Sequence, residues 1–208
     1  MTRMEQLNQT LFALVNGPAD PSPAMLWLAR FLADWSLYII AAGLVVGWLR
    51  AHAEQRRALV LVGLATCLGL AVNFTIGAFW YHPRPFALGI GNQLIAHAED
   101  GSFPSDHGTL LFAVTLSLLA FVRPSVWGWL AFATAASVAW ARVWLGIHWP
   151  LDIAGSFVVA IAAVWIIALV RRTRGFERVI GSILDLFDRL LDLARIPQTW
   201  VHRSAKSR

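Results

Sequence analysis

Cysteine and formal charge are what this 208-residue sequence has least of. Cys67 is the only cysteine and lies inside an apolar run, which excludes an intrachain disulfide and a cysteine-based metal cluster. Charged residues make up 14% of the chain, against about 25% in an average soluble domain. With 58% hydrophobic residues, that deficit argues for a membrane protein. Basic residues outnumber acidic ones 17 to 12, but they flank apolar runs instead of interleaving with aromatics, so nucleic acid is not an expected partner. No internal repeat or glycine-serine linker divides the chain, and residues 1–208 read as one membrane-embedded domain. The N-terminus also lacks the build of a cleavable signal peptide: Met1–Gly17 has one Arg, the acidic Glu5 and only a short apolar stretch. Leu7, Leu11, Phe12, Leu14 and Val15 share a helical face there, predicting a short interfacial helix.

What is present is a series of long apolar stretches. Five can cross a bilayer, which takes about 20 residues at helical rise: Ala24–Leu49, Ala58–Trp80, Gly108–Val122, Val126–Leu145 and Leu151–Val170. The third is short and is expected to start within Ser105–Gly108. The predicted fold is therefore all-α, a polytopic membrane helix bundle of five transmembrane helices with an amphipathic helix at each end. Trp48, Trp80, Tyr81, Trp127, Trp129, Trp144 and Trp149 fall near the ends of the stretches, where amphipathic rings favour the headgroup level. Ile180, Ile183, Leu184, Phe187, Leu190, Leu191 and Ala194 recur at helical spacing in the tail, which can lie on the membrane or pair with another helix.

Positive charge sets the expected orientation. Arg50, Arg56 and Arg57 lie in the first connection, Arg123 in the third, and Arg171, Arg172 and Arg174 open the tail. By the positive-inside rule these segments, and the basic tail 171–208, are cytoplasmic. The second and fourth connections then face outward, and both carry polar motifs: His82-Pro83-Arg84-Pro85, Ser102-Phe103-Pro104-Ser105-Asp106-His107, and Arg142 followed by His148 and Asp152. Ionisable groups at the edge of a bilayer are costly unless paired, and they mark functional sites. Arginine forks suit phosphate oxygens. Ser105 stands where a helix begins, so backbone N–H groups there form an anion site. Asp152, four after His148 with Pro150 between, can fix the imidazole tautomer and leave the other nitrogen as nucleophile. His107 is then available as the acid for the leaving oxygen. Together these parts describe phosphoryl transfer. A metal site from His107, His148 and Asp152 is disfavoured because two arginines would repel the cation, so neither metal nor cofactor is expected. A channel or transporter would place its polar groups near mid-membrane, whereas here they cluster at one mouth.

In these motifs the sequence resembles the type 2 phosphatidic acid phosphatase superfamily of lipid phosphate phosphatases. That family carries Lys-x6-Arg-Pro, Pro-Ser-Gly-His and Ser-Arg-x5-His-x3-Asp. The counterparts are Arg84-Pro85, then Pro104-Ser105-Asp106-His107, then Ala141-Arg142 with His148 and Asp152, within a core of about residues 73–155. Three positions depart from the pattern: Gly77 stands for the lysine, Asp106 for the glycine and Ala141 for the serine. Phe-Pro-Ser-Asp-His beside Pro-Arg-Pro-Phe is similar to the bacterial undecaprenyl-diphosphate phosphatases, which recycle the polyprenyl carrier of cell-wall synthesis. The resemblance implies a periplasmic-face enzyme of the bacterial inner membrane acting on a polyprenyl or other lipid phosphate. It implies His148 as nucleophile, Asp152 orienting it and His107 as acid. It further implies Arg84, Arg142 and Ser105 on the phosphate, joined by Asp106 and by His82 in partial place of the missing lysine. Phosphatidic acid or phosphatidylglycerol phosphate as substrate, and transfer to another lipid in place of water, are the alternatives within that scaffold.

Overall fold

The computed structural model describes residues 2–122 and 126–194, and among these it forms seven α-helices and no strand. They are α1 (Arg3–Val15), α2 (Pro23–Arg50), α3 (Ala53–Phe79), α4 (Asp106–Phe121), α5 (Val126–Trp144), α6 (Pro150–Val170) and α7 (Arg174–Leu193). Local chemistry sets most starts. Ser22 accepts the Met25 N–H ahead of Pro23 at the first turn of α2, and Thr173 does the same for the Phe176 N–H of α7. Pro150 opens α6, where the Asp152 carboxylate accepts the Trp149 N–H at 2.8 Å.

Helices α3, α4 and α6 pack mutually as the centre, α5 lies on α4, and α2 lies mainly on α5. Small residues allow the close approach, as is usual where helices pack without a hydrophobic drive. A Cβ on Gly69 of α3 would sit 3.4 Å from Thr109, 3.6 Å from Ala163 and 3.7 Å from Ala113. Large apolar side chains such as Trp27, Trp35, Phe74, Trp129 and Trp165 point outward instead. That is the reverse of a water-soluble surface, and it is what lipid contact requires.

Helices α2, α3 and α6 are long and apolar enough to cross a membrane. The 16 residues of α4 make a shorter apolar helix. Trp127, Trp129, Trp140 and Arg142 moderate the hydropathy of the 19-residue α5, which is not among the three. Of the tryptophans expected at the interface, Trp80, Trp127 and Trp129 are exposed, but Trp144 and Trp149 are buried. Trp149 is held inside because its indole N–H donates to Pro83 O at 2.9 Å and Phe12 packs on its ring. Helix α1 is correspondingly more than an interfacial helix: Leu7, Leu11 and Leu14 are exposed, while Asn8 and Phe12 are buried against the start of α6.

Helix α7 folds back on its own chain. Ile180 joins Val60, Leu61, Ala65 and Ile167 in a core cluster, with Ile183 and Leu184 packed against it. Arg56 is buried against the rings of Trp48 and Phe187, which also touch each other, its guanidinium carbon 5.8 and 4.9 Å from their centroids, and Arg57 pairs with Glu177. Arg123 and the basic end of the tail lie outside the described residues.

Candidate active site

The α4 and α6 starts meet the C-terminal end of α5 at one end of the bundle, under the loop 80–105 and the turn 145–149. Two serines lock the helix starts together. Ser156 Oγ lies 2.7 Å from Asp152 O and 2.9 Å from Ser105 O. Gly108 is required at this crossing, since a Cβ there would lie 2.9 Å from Ser156 Oγ. Ser105 caps α4 by accepting the Gly108 N–H at 3.4 Å, which leaves its own proton to point at His148 Nε2, 3.2 Å away.

The protonation of His148 follows from its partners. Arg84 Nη1 lies 3.2 Å from Nε2, and a guanidinium can only donate, so Nε2 carries the lone pair. Nδ1 then bears the hydrogen and faces Asp152 Oδ2 at 3.3 Å. Asp152 is fully buried, and the same Oδ2 takes the Trp149 N–H, so one carboxylate both caps α6 and orients the ring. Burial pushes the imidazole down to about 3, with Arg142 and Arg84 adding to the effect and Asp152 opposing it. The ring is therefore neutral at ordinary pH.

Arg84 is buried and fully engaged. Nη1 also donates to Ile147 O at 2.7 Å, Nη2 to Gly101 O at 3.3 Å, and Nε to Asp100 Oδ1 at 2.8 Å. Asp100 is mostly solvent-exposed; burial works to raise its carboxyl, but the hydrogen bond and charge of Arg84 outweigh it and hold it low. Arg142 is buried beside it, with Nε lacking a protein partner and Nη2 donating to His97 Nε2 at 3.4 Å. His107, in the first turn of α4, lies within electrostatic reach of Arg142, His97 and Arg84. A bare imidazole nitrogen, a guanidinium and a hydroxyl thus meet within 3.2 Å, with Arg142 and His107 in the same electrostatic neighbourhood, which is equipment suited to an anionic phosphorus centre. A cavity of about 730 Å³ lies at the other end of the bundle, among α2, α3, α4 and α5, and is lined chiefly by apolar side chains such as Ile39, Leu44, Leu59 and Leu130.

Over residues 58–176, more than half of its length, the sequence matches the PAP2 superfamily. The chain belongs to that superfamily. It is 40% identical over 156 residues to YbjG of Escherichia coli (strain K12), covering 74% of this chain and 78% of that one. It is 30% identical over 155 residues to the undecaprenyl-diphosphatase BcrC of Bacillus subtilis (strain 168), covering 74% and 79%. The fold is similar to the crystal structure of Aquifex aeolicus LpxE, with a TM-score of 0.66, 22% identity, and coverage of 78% of this chain and 94% of that one.

Within this PAP2 site, Arg84, Ser105, Arg142, His148 and Asp152 gather as the motif spacing predicts. Two expected phosphate ligands are placed differently. The Asp106 carboxylate turns to α3, where Asn73 Nδ2 donates to it at 2.6 Å and also reaches Pro104 O at 3.2 Å. Asn73 Oδ1 accepts from Thr109 at 2.7 Å, so this cluster braces the start of α4. His82 lies on the far side of Asp152 from His148, with Nδ1 3.5 Å from Oδ1. His97, which reads in sequence as an ordinary loop histidine, faces the pocket with its centroid 6.4 Å from that of His148. Its burial keeps it from protonating as readily as a free imidazole, and Arg84 and Arg142 reinforce this. Ser102, which stands in the polar motif without an assigned role, and Asn73 and Ser156, which no motif announces, are further polar members of the site end. Asn73 was the most legible, as an amide inside an apolar run.

Proposed function

We propose that this PAP2 protein hydrolyses a lipid diphosphate without a metal, converting a polyprenyl diphosphate such as undecaprenyl diphosphate to the monophosphate. The observation that carries the reading is the His148 ring. Its lone pair is aimed between Arg84 and Ser105, and its other nitrogen faces a buried carboxylate. His148 Nε2 attacks the terminal phosphorus while the anhydride P–O bond breaks, and His107 gives a proton to the departing lipid phosphate. Arg84, Arg142 and Ser105 balance charge on the transferred oxygens, and Asp152 stabilises the ring as it becomes cationic. Water then attacks phosphorus, His107 takes its proton, and cleavage of the P–N bond restores His148.

The substrate class is supported by the BcrC relative, whose name specifies undecaprenyl diphosphate, and by the recessed position of the site at the end of an apolar bundle. With α2 to α6 read as five crossings, the positive-inside rule supports the extracytoplasmic face of a bacterial cytoplasmic membrane for that end and the cytoplasmic side for α7. The test is phosphate release by detergent-solubilised protein in chelator, with polyprenyl diphosphate, phosphatidic acid and phosphatidylglycerol phosphate as substrates. Release is expected from the polyprenyl diphosphate, is lost in His148→Asn, and falls about 100- to 10,000-fold in His107→Ala. Turnover of the glycerolipids alone would overturn the substrate, and a His148→Asn protein with wild-type rate would overturn the nucleophile.

A further inference from the structure

The nucleophile's supports extend past Asp152. Its two oxygens have different tasks: Oδ2 serves His148 and the Trp149 N–H, while Oδ1 faces Ser102 Oγ at 3.4 Å and His82 Nδ1 at 3.5 Å. Ser102 Oγ is also 2.8 Å from His82 Nδ1, so the imidazole reaches the carboxylate directly and through the hydroxyl. Behind the ring, His82 Nε2 is 3.7 Å from Glu5 Oε2 on α1. Glu5 is held in place by α1 itself: Asn8 accepts the Leu151 N–H at 3.1 Å and Phe12 packs on Trp149, which pins the helix to the first turn of α6.

A carboxylate buried as fully as Asp152 has exchanged its hydration for protein partners, and each lone pair left without one is costly. The partners of Oδ2 do not serve Oδ1. We propose that His82 is a positioning residue, which holds Asp152 and through it the His148 ring, and that Glu5 in turn holds His82. The chain Glu5–His82–Asp152–His148 makes the N-terminal helix part of the catalytic apparatus. This rests on the phosphotransfer reading above and deepens it. The hydrogen bond to Asp152, and then the charges of Asp152 and Glu5, raise the proton affinity of His82 against its burial, which favours a ring with N–H on both nitrogens. Such a ring lies in ion-pair range of both carboxylates, and its Nδ1–H goes to Ser102 Oγ, which donates on to Asp152 Oδ1.

The experiment measures kcat and KM for phosphate release from polyprenyl diphosphate by the wild type, His82→Ala, His82→Asn and Glu5→Gln, with thermal midpoints in the same detergent. In His82→Ala, kcat is expected to fall about 10- to 100-fold, the size of effect seen when the outer partner of a functional histidine is removed. KM should stay within about threefold, since His82 does not meet the phosphate. The amide of His82→Asn keeps a donor near Nδ1 and is expected to recover most of the loss, while Glu5→Gln shows a smaller fall in kcat. A raised KM at unchanged kcat in His82→Ala would make His82 a phosphate ligand and overturn the inference. So would a His82→Asn protein that melts like the wild type yet is no faster than His82→Ala. Should His82→Ala fail to fold, a Glu5→Gln protein with unaltered kcat would overturn it as well. A wild type that releases no phosphate defeats the parent reading; an active wild type with indifferent variants defeats this one alone.

Discussion

At the scale of single residues, the groups proposed to bind phosphate already hold substitutes for it. Asp100 lies against Arg84 where a phosphate oxygen would compete for the same guanidinium. Because its carboxylate is 63% exposed, the pair is worth only about 0.2–1 kcal/mol. Asp100→Asn should therefore tighten competitive inhibition by inorganic phosphate roughly 1.5- to 5-fold. Weaker inhibition would mean that Asp100 holds Arg84 in position instead of competing for it. His148 gives a second residue-scale prediction. Its folded form resists protonation down to about pH 3, while the unfolded chain takes up a proton near the ordinary histidine value of about 6.5. Between those values the unfolded state binds more protons, so the stability present above that window is lost as pH falls through it. The slope approaches about 1.4 kcal/mol per pH unit. His148→Asn removes the titrating ring and keeps a donor for Asp152, so its thermal midpoint should fall less than that of the wild type between pH 7 and pH 5 (roughly the upper part of that window). An equal fall in both would show that other groups carry the acid sensitivity. Arg142, His148 and Asp152 were legible because their spacing is local, within one helix end, one turn and one helix start, and Arg84 was legible through its Arg-Pro pair. His97, Ser102 and Glu5 were not, because a loop residue's partner is set by tertiary placement, which leaves no periodic trace.

At the scale of elements, the site depends on connections that tie loops to helix ends. Asn16 and Asn92 form a reciprocal knot: Asn16 Nδ2 donates to Asn92 O and Trp144 O, Asn92 N donates to Asn16 Oδ1, and Asn92 Nδ2 donates to Gly17 O. Gly146 makes room for it with a left-handed φ of 79°. A Cβ there would come within 2.0 Å of Asn92 O, a backbone atom with no side-chain freedom to yield. Gly146→Ala should therefore lose at least about 1–2 kcal/mol from the backbone conformation alone, with the clash in addition. A thermal midpoint lowered by several degrees is expected, roughly 2–4 °C per kcal/mol for a chain of this size. Phosphate release should fall too, because the loop bearing His97 and Asp100 is displaced. An unchanged midpoint and rate would show that the 89–101 loop is not held through this turn. Helix existence and most helix ends were legible here from apolar period, Pro23 and Pro150 at helix starts, and serine or threonine caps. What covers each apolar face was not. The tail's amphipathic period fits a lipid surface as well as it fits α3, and the packing of Ile180 with Val60, Leu61 and Ala65 and of Arg56 against Phe187 decides for α3.

At the scale of the whole molecule, helix length and charge both bear on where the proposed site would lie relative to the bilayer. Helix α3, with 27 residues, is about 40 Å long, whereas the 16 residues of α4 reach only about 24 Å, less than a hydrocarbon core of about 30 Å. A short α4 beside a long α3 recesses Ser105 and His107 below the outer end of the bundle, toward the depth at which a lipid carries its phosphate. The opposite end gathers Arg50, Arg57 (paired with Glu177), Arg171, Arg172 and Arg174, whereas at the site end Arg3 is exposed, Arg84 and Arg142 are buried and Arg30 donates to Leu94 O. The larger cluster of positive charge favours the cytoplasm for the end that carries α7. Because Cys67 is the only native cysteine, a Cys67→Ala background lets single reporters be read without interference. Asp20→Cys and Ala98→Cys report the site end; Glu54→Cys and Arg172→Cys report the other. With a membrane-impermeant maleimide on intact cells, the first two are expected to label at once and the last two only after the membrane is opened. Labelling of Glu54→Cys and Arg172→Cys in intact cells would invert the orientation and put the phosphatase chemistry in the cytoplasm. Opposite behaviour of Asp20→Cys and Ala98→Cys would break the count, since an even number of crossings between them is what allows α1 to reach the site it braces.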